Sequence, residues 1–534
     1  MKLTFIGADH EVTGSCHFLE IAGRKLAVDC GMEQGADIYE NEEFPYPAAD
    51  LDYILLTHAH IDHSGYLPLL YSQGFRGTIF ATKATTDLCQ IMLRDSAHIQ
   101  EMEAEWKNRK ARRSGQPEVP PLYTLQDAEG VVQHFHSLDY DALVTICDGI
   151  QVRFSDVGHL LGSASIEIWA TEDEKTVKLA FSGDIGNINQ PLIRDPQYLS
   201  EADYVIMEST YGDRSHDSTP DYVAELARII RNTFQKNGNV VIPSFAVGRT
   251  QELLYFIREI KMKNLLPEYP DFDVYVDSPL AVEATNVFNR NVESCFDEEA
   301  MELVRQGINP IAFPGLKTSV TSEESKAINF DSRPKVILSA SGMCEAGRIR
   351  HHLKHNLWRP ECTILFVGYQ ANGTLGRALL EGVPVVTLFG ETIEVKANIE
   401  KLAGISGHAD KEHLIQWLQA ITPKPKEVFV VHGEDTVCDT FVTCLREEYG
   451  YCASAPYTGA AYDLLEGTWL AEGNRVHKKT TSSAKSGRAT TIYLKLLAAG
   501  QRLLAVIRHN EGGSNKDLIK FTDQINSLCN KWER

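Results

Sequence analysis

The stretch "LLTHAHIDHSGYLPLL", Leu55 to Leu70, places His58, His60, Asp62 and His63 within six residues, between an apolar run that reads as a strand and one that reads as a helix. Imidazole and carboxylate are the side chains that bind zinc where thiols are absent, and ligands on a tight strand-to-helix loop are already assembled for it. His58 and His60, two apart, can face one ion. Asp62 and His63 then turn toward a position beside it, which points to two ions rather than one. Two ions need more ligands than one loop holds, so further His and Asp residues should end other strands. His159 follows "VRFSDVG", Asp184 follows "KLAFSG" and His432 follows "EVFVV".

The chain of 534 residues is too long for one ordinary domain, and its 43% hydrophobic and 23% charged content is that of a globular protein. No stretch approaches the roughly 20 apolar residues of a membrane span. The start, "MKLTFIGADHEVTG", lacks the basic and apolar regions of an export signal, so the expectation is a cytoplasmic protein with no membrane partner. The 11 cysteines are scattered without C-x-x-C spacing, which argues for reduced thiols and against a zinc ribbon. A net charge of −21 opposes general attraction to nucleic acid, so any such substrate must be held by local positive groups.

Along the chain, "KLTFIGA", "HFLEIAG" and "RKLAVDCG" read as short strands, and Thr85 to Arg113 as a long amphipathic helix. Strands return in "IQVRFSDVG", "ASIEIWAT", "VKLAFSGDIG" and "ADYVIMESTYG". After Gly212 the pattern becomes strand and helix pairs, which indicates a parallel sheet in its own α/β unit. "NRVHKKTTSSAKSGRATT" reads as a linker before a small segment, Ile492 to Arg534, whose role the sequence does not disclose.

With the later strand-end ligands in order, "THAHIDH" resembles the motif of the metallo-β-lactamase fold hydrolases. The resemblance implies that His58, His60 and His159 bind one zinc, that Asp62, His63 and His432 bind the other, and that Asp184 bridges them. Asp29 in "VDCG" matches the carboxylate that holds the ligand loop in that family. The same dinuclear site serves lactams, thioesters and phosphodiesters, so the fold does not fix the substrate. The long insert between Glu208 and His408 narrows the resemblance to the β-CASP nucleases, carried by "MESTYG" with Glu208, "ISGHAD" with His408 and "VVHGE" with His432. The implied fold is α/β: a metallo-β-lactamase αββα sandwich, residues 1–209 and 396–468, with an inserted β-CASP domain at 210–395, and a linker and tail at 469–534. The implied activity is two-metal hydrolysis of RNA, single-stranded more readily than paired, with Asp62, Glu208 and His408 as the catalytic set and His408 supplying a proton to the departing ribose oxygen.

Within the insert, "SFAVGRTQELL", "SASGMCEAGRIRHHL" and "GYQANGTLGR" are glycine-rich turns, and Arg249, Arg348 and Arg377 are candidates to hold the RNA backbone. The basic run "KNRKARR" is read as a helix end rather than a binding patch. His351 and His352 stay open as substrate contacts, as does a homodimer. Endonuclease action is the main expectation. A 5′-exoribonuclease of the same family, a small-ester hydrolase and a non-catalytic scaffold are the alternatives.

Overall fold

The computed structural model describes residues 1–34, 43–114, 117–216, 221–371, 373–402 and 406–476, scattered positions from 496 on, and the helix Asn515–Trp532. Most of the expected linker lies outside the described residues.

The first sheet has eight strands, in the order Thr468–Ala471, Ala461–Asp463, Lys2–Gly7, Cys16–Ile21, Arg24–Val28, Tyr53–Leu55, Thr78–Thr82, Phe135–Leu138. The second has seven: Ala453–Ser454, Glu427–Val431, Tyr204–Glu208, Lys175–Phe181, Ala164–Glu172, Ile150–Asp156, Val144–Cys147. Alternate residues of each strand enter different cores. Leu3, Phe5, Leu26 and Val28 from one sheet meet Ile166, Phe181, Ile206, Phe429 and Val431 from the other. Their neighbours Ile6, Ala27 and Ile54 face the helices Leu67–Ser72, Lys83–Ser114 and Leu125–Val132, while Val428 and Val430 face Lys411–Gln419 and Asp435–Glu447. Strands buried on both faces must be apolar throughout, which is why these runs show no polar alternation. The result is the expected αββα sandwich.

The insert is a six-stranded sheet whose paired strands all run parallel, ordered Leu316–Thr318, Asp273–Val276, Lys335–Ser339, Val240–Pro243, Thr363–Phe366, Asn398–Lys401. Two of its helices, among others, start on side-chain caps: Asp221 accepts from the Ala224 amide and Ser278 from that of Ala281, with Pro279 opening the latter helix. One continuous apolar core joins the long helix Lys83–Ser114, through Leu88 and Leu93, to Leu253, Val287 and Phe288 of the insert. Asn291 adds polar ties to Asp87 and Lys83.

The insert's last strand, Asn398–Lys401, runs past the expected boundary at 395, and Thr468–Ala471 still pairs with Ala461–Asp463 past the one at 468. Trp469 packs edge-on to Phe429 at 5.6 Å, which binds that strand to the sandwich core. In the basic run, Lys107, Arg109 and Arg112 pair with Glu103, Glu105 and Glu118, a solvated helix face as expected.

Candidate active site

The residues expected to hold metal sit where strands end. His58, His60, Asp62 and His63 follow Tyr53–Leu55, His159 follows Ile150–Asp156, Asp184 follows Lys175–Phe181, and His432 follows Glu427–Val431. The two sheets bring these ends to one place. His58 Nε2 lies 3.0 Å from His60 Nδ1, which lies 3.2 Å from His159 Nε2. Asp184 Oδ2 is 3.5 Å from both His58 Nε2 and His159 Nε2. In the second group His63 Nε2 and His432 Nε2 are 3.2 Å apart, and Asp62 Oδ2 is 3.7 Å from His432 Nε2. Asp184 Oδ1 is 3.3 Å from His63 Nε2 and 3.6 Å from His432 Nε2.

These spacings fit divalent cations. Tetrahedral zinc with nitrogen ligands at about 2.0–2.1 Å separates its donors by roughly 3.3 Å. Three imidazole nitrogens turned on one another cannot all be satisfied by hydrogen bonds among themselves, and Asp184 Oδ1 is buried with no donor aligned to it. Burial holds His58, His60 and His159 below the ordinary imidazole range, as neutral ligands require. Burial opposes the charge on Asp184, yet the surrounding histidines, His432 and His63 foremost, keep it well below the usual carboxylate range.

A second layer of contacts fixes which nitrogen each ring presents. The Asp29 carboxylate accepts from the Thr57 amide at 2.8 Å, from the Thr57 hydroxyl, and from His63 Nδ1 at 2.7 Å, leaving His63 Nε2 for the centre. His58 Nδ1 meets Thr57 Oγ1 at 3.1 Å, His159 Nδ1 donates to the Gly407 carbonyl at 2.9 Å, and His432 Nδ1 meets Thr210 Oγ1 at 3.2 Å. Gly31 is required here: a Cβ on it would fall 1.6 Å from the Asp62 carbonyl, which accepts from the Ser15 amide. Replacing Asp29 by alanine is expected to weaken metal affinity about 10–100-fold with the fold retained, measurable by competition with a chromophoric chelator.

His408 Nδ1 lies 3.2 Å from both oxygens of Glu208, and its Nε2 faces the centre, 4.0 Å from Asp184 Oδ2. Glu208 is buried, its Oε1 accepting from the Ile185 amide at 2.5 Å and its Oε2 from the Thr210 amide at 3.3 Å. Burial acts to lower the His408 pKa, but the charges of Glu208 and Asp184 outweigh it and hold the imidazole up at about 9.

Thr57, Thr210 and His216 escaped the sequence reading. His216 Nε2 donates to the His408 carbonyl at 3.0 Å, and its amide donates to Asp410, which caps the next helix. These contacts tie the segment leaving the sandwich to the one returning. Changing His216 to alanine is expected to lower kcat about tenfold at unchanged metal content, a cost of about 1.4 kcal/mol for a loosened proton donor, with partial rescue by glutamine.

The three insert arginines do not converge on this centre. The guanidinium of Arg249 pairs with Glu252, that of Arg348 donates to Asp277 at 2.7 Å and to the Ser319 carbonyl at 3.2 Å, and that of Arg377 donates to Glu381 at 2.6 Å. Arg348 is thus spent on the insert's own loops, while Arg377 keeps 41% of its side chain exposed. His352 is buried between Asp277 and Asn329, and His351 stacks on Phe389.

Three family models match the chain: a metallo-beta-lactamase superfamily domain over residues 18–181, a Beta-Casp domain over 250–379, and a Zn-dependent metallo-hydrolase RNA specificity domain over 392–456. Ribonuclease TTHA0252 of Thermus thermophilus is 37% identical over 82% of this chain and 94% of its own length. The chain belongs to the β-CASP family of metallo-β-lactamase-fold hydrolases. Two further β-CASP relatives are the transcription termination factors FttA of Methanocaldococcus jannaschii, 32% identical over 84% of this chain and 69% of its own, and of Methanosarcina mazei, 30% identical over 82% and 68%. As a β-CASP protein the chain is a metal-dependent hydrolase, and the sequence expectation of fold and family agrees with these matches. Among the described residues no helix is long and apolar enough to cross a membrane.

Proposed function

We propose that the protein is a zinc-dependent ribonuclease that hydrolyses internal phosphodiester bonds of single-stranded RNA with two metal ions. The observation that carries this reading is Asp184, one carboxylate whose two oxygens face two separate histidine groups, with His408 Nε2 beside them. His58, His60 and His159 would hold one ion, and Asp62, His63 and His432 the other. Two zinc ions supply water activation and charge neutralisation at a phosphate. The protonated His408 hands its Nε2 proton to the departing ribose oxygen, while Glu208 holds Nδ1 and keeps the ring turned inward.

Two of the named relatives' activities, ribonuclease and transcription termination, concern RNA, and the match to an RNA specificity domain supports the same substrate. Of the three arginines, Arg377 is the one this reading keeps for the RNA backbone. All eleven cysteines are free thiols, which suits a reducing cytoplasm.

Single-stranded RNA labelled separately at each end, incubated with and without chelator, tests the mode of cleavage. Internal fragments that vanish with chelator are expected. Mononucleotides released from the 5′ end would replace the endonuclease reading by the exonuclease one.

A further inference from the structure

We propose that Phe245 and Tyr369 form a stacking platform for nucleobases of single-stranded RNA beside the dinuclear centre. This rests on the RNA reading above and names how that substrate is gripped.

Both rings are large, apolar and exposed, Phe245 by 46% and Tyr369 by 56%. They follow the carboxyl ends of neighbouring parallel strands, Val240–Pro243 and Thr363–Phe366, the edge at which open α/β sheets receive ligands. The Phe245 ring is braced from one side. A Cβ on Gly342 would lie 3.2 Å from the edge of the Phe245 ring, so one part of that ring rests on bare backbone. Gln370, buried next to Tyr369, donates to the Gly342 carbonyl at 3.0 Å, and Thr250 donates to the Phe245 carbonyl at 2.6 Å. Three strand-end loops are thereby locked to one another.

Gly248, three residues beyond Phe245, approaches the segment that carries His159. A Cβ there would lie 3.2 Å from Leu160 Cδ1, and Leu160 is the neighbour of His159. Beside Tyr369, among the described residues no other atom comes within 4 Å of where a Cβ on Gly368 would stand.

Charge bookkeeping favours stacking as the grip. The chain carries −21, Arg249 and Arg348 are engaged by Glu252 and Asp277, and only the partly exposed Arg377, which shares its charge with Glu381, is left of the three to meet a phosphate. The same loops expose two large rings, Phe245 and Tyr369. Every base has a π face, so stacking holds single strands without reading their sequence, and a paired base is not free to offer one.

The test is KM for cleavage of a single-stranded RNA, and of the same RNA with abasic riboses flanking the cleaved bond, in Phe245→Ala, Tyr369→Ala and the double variant. KM should rise on the order of tenfold per ring on the base-bearing RNA and stay at the wild-type value on the abasic one. Phe245→Trp should keep or lower KM, and hydrolysis of bis(p-nitrophenyl) phosphate should be unchanged throughout, which verifies folding. Wild-type KM in the double variant, or an equal rise on abasic RNA, would overturn the platform. A wild-type protein that hydrolyses the small diester yet cleaves no RNA would overturn the RNA reading itself, and the platform with it.

Discussion

Replacing Asp184 by alanine should empty both metal positions at once and abolish cleavage. Its two carboxylate oxygens face the two histidine groups: Oδ2 is 3.5 Å from His58 and His159, and Oδ1 is 3.3 Å from His63. Metal-borne charge stabilisation is worth several kcal/mol, so at 1.36 kcal/mol per tenfold the loss of rate should be at least about 10³-fold. Asp184→Asn should do nearly the same, because it keeps the shape and removes the charge. Zinc per chain measured by elemental analysis, alongside initial rates, checks both. The fold should survive, since Asp184 lies past the end of the strand Lys175–Phe181, outside the apolar core between the sheets. An Asp184→Ala protein with two zinc ions and normal turnover would dismantle the centre described above.

His408→Ala is expected to separate metal binding from turnover. His408 faces the centre from outside the two ligand groups, so zinc should stay at the wild-type level while kcat falls about 10²–10⁴-fold, the usual worth of a positioned proton donor. The pH dependence carries a sign. The folded imidazole is raised to about 9, with burial opposing and Glu208 and Asp184 supporting its charge, so the donor is protonated at neutrality and lost as pH rises. With cations held by the site, Asp184 would support the imidazole less, and Glu208 would be its main support. Glu208→Gln should therefore shift the basic limb of kcat to lower pH, whereas His408→Ala should remove it. A His408→Ala enzyme with full kcat would end the assignment.

Much of the sandwich and its ligands is legible because both are local. A strand buried on two faces is an apolar run, and a candidate ligand just past it needs no knowledge of the rest of the chain, as with His159, Asp184 and His432. What escapes is set by distant pairing. Thr210 and His432, or His216 and His408, are about two hundred residues apart in sequence, and nothing in either neighbourhood announces the other. The strand Asn398–Lys401 is short, lies at the sheet edge and alternates nothing apolar, so its "NIEK" does not read as a strand. The arginines show the converse: their glycine-rich context suggested phosphate, while the partners Glu252 and Glu381, three and four residues on, and Asp277, 71 residues back, determine where the guanidiniums go.

The central claim, that two metals act together on RNA, is tested most directly by titrating zinc into chelator-stripped protein while following cleavage of a single-stranded RNA. The account predicts that activity climbs to a plateau at two zinc ions per chain. A plateau at one ion, or two tightly bound ions with no cleavage, would contradict it.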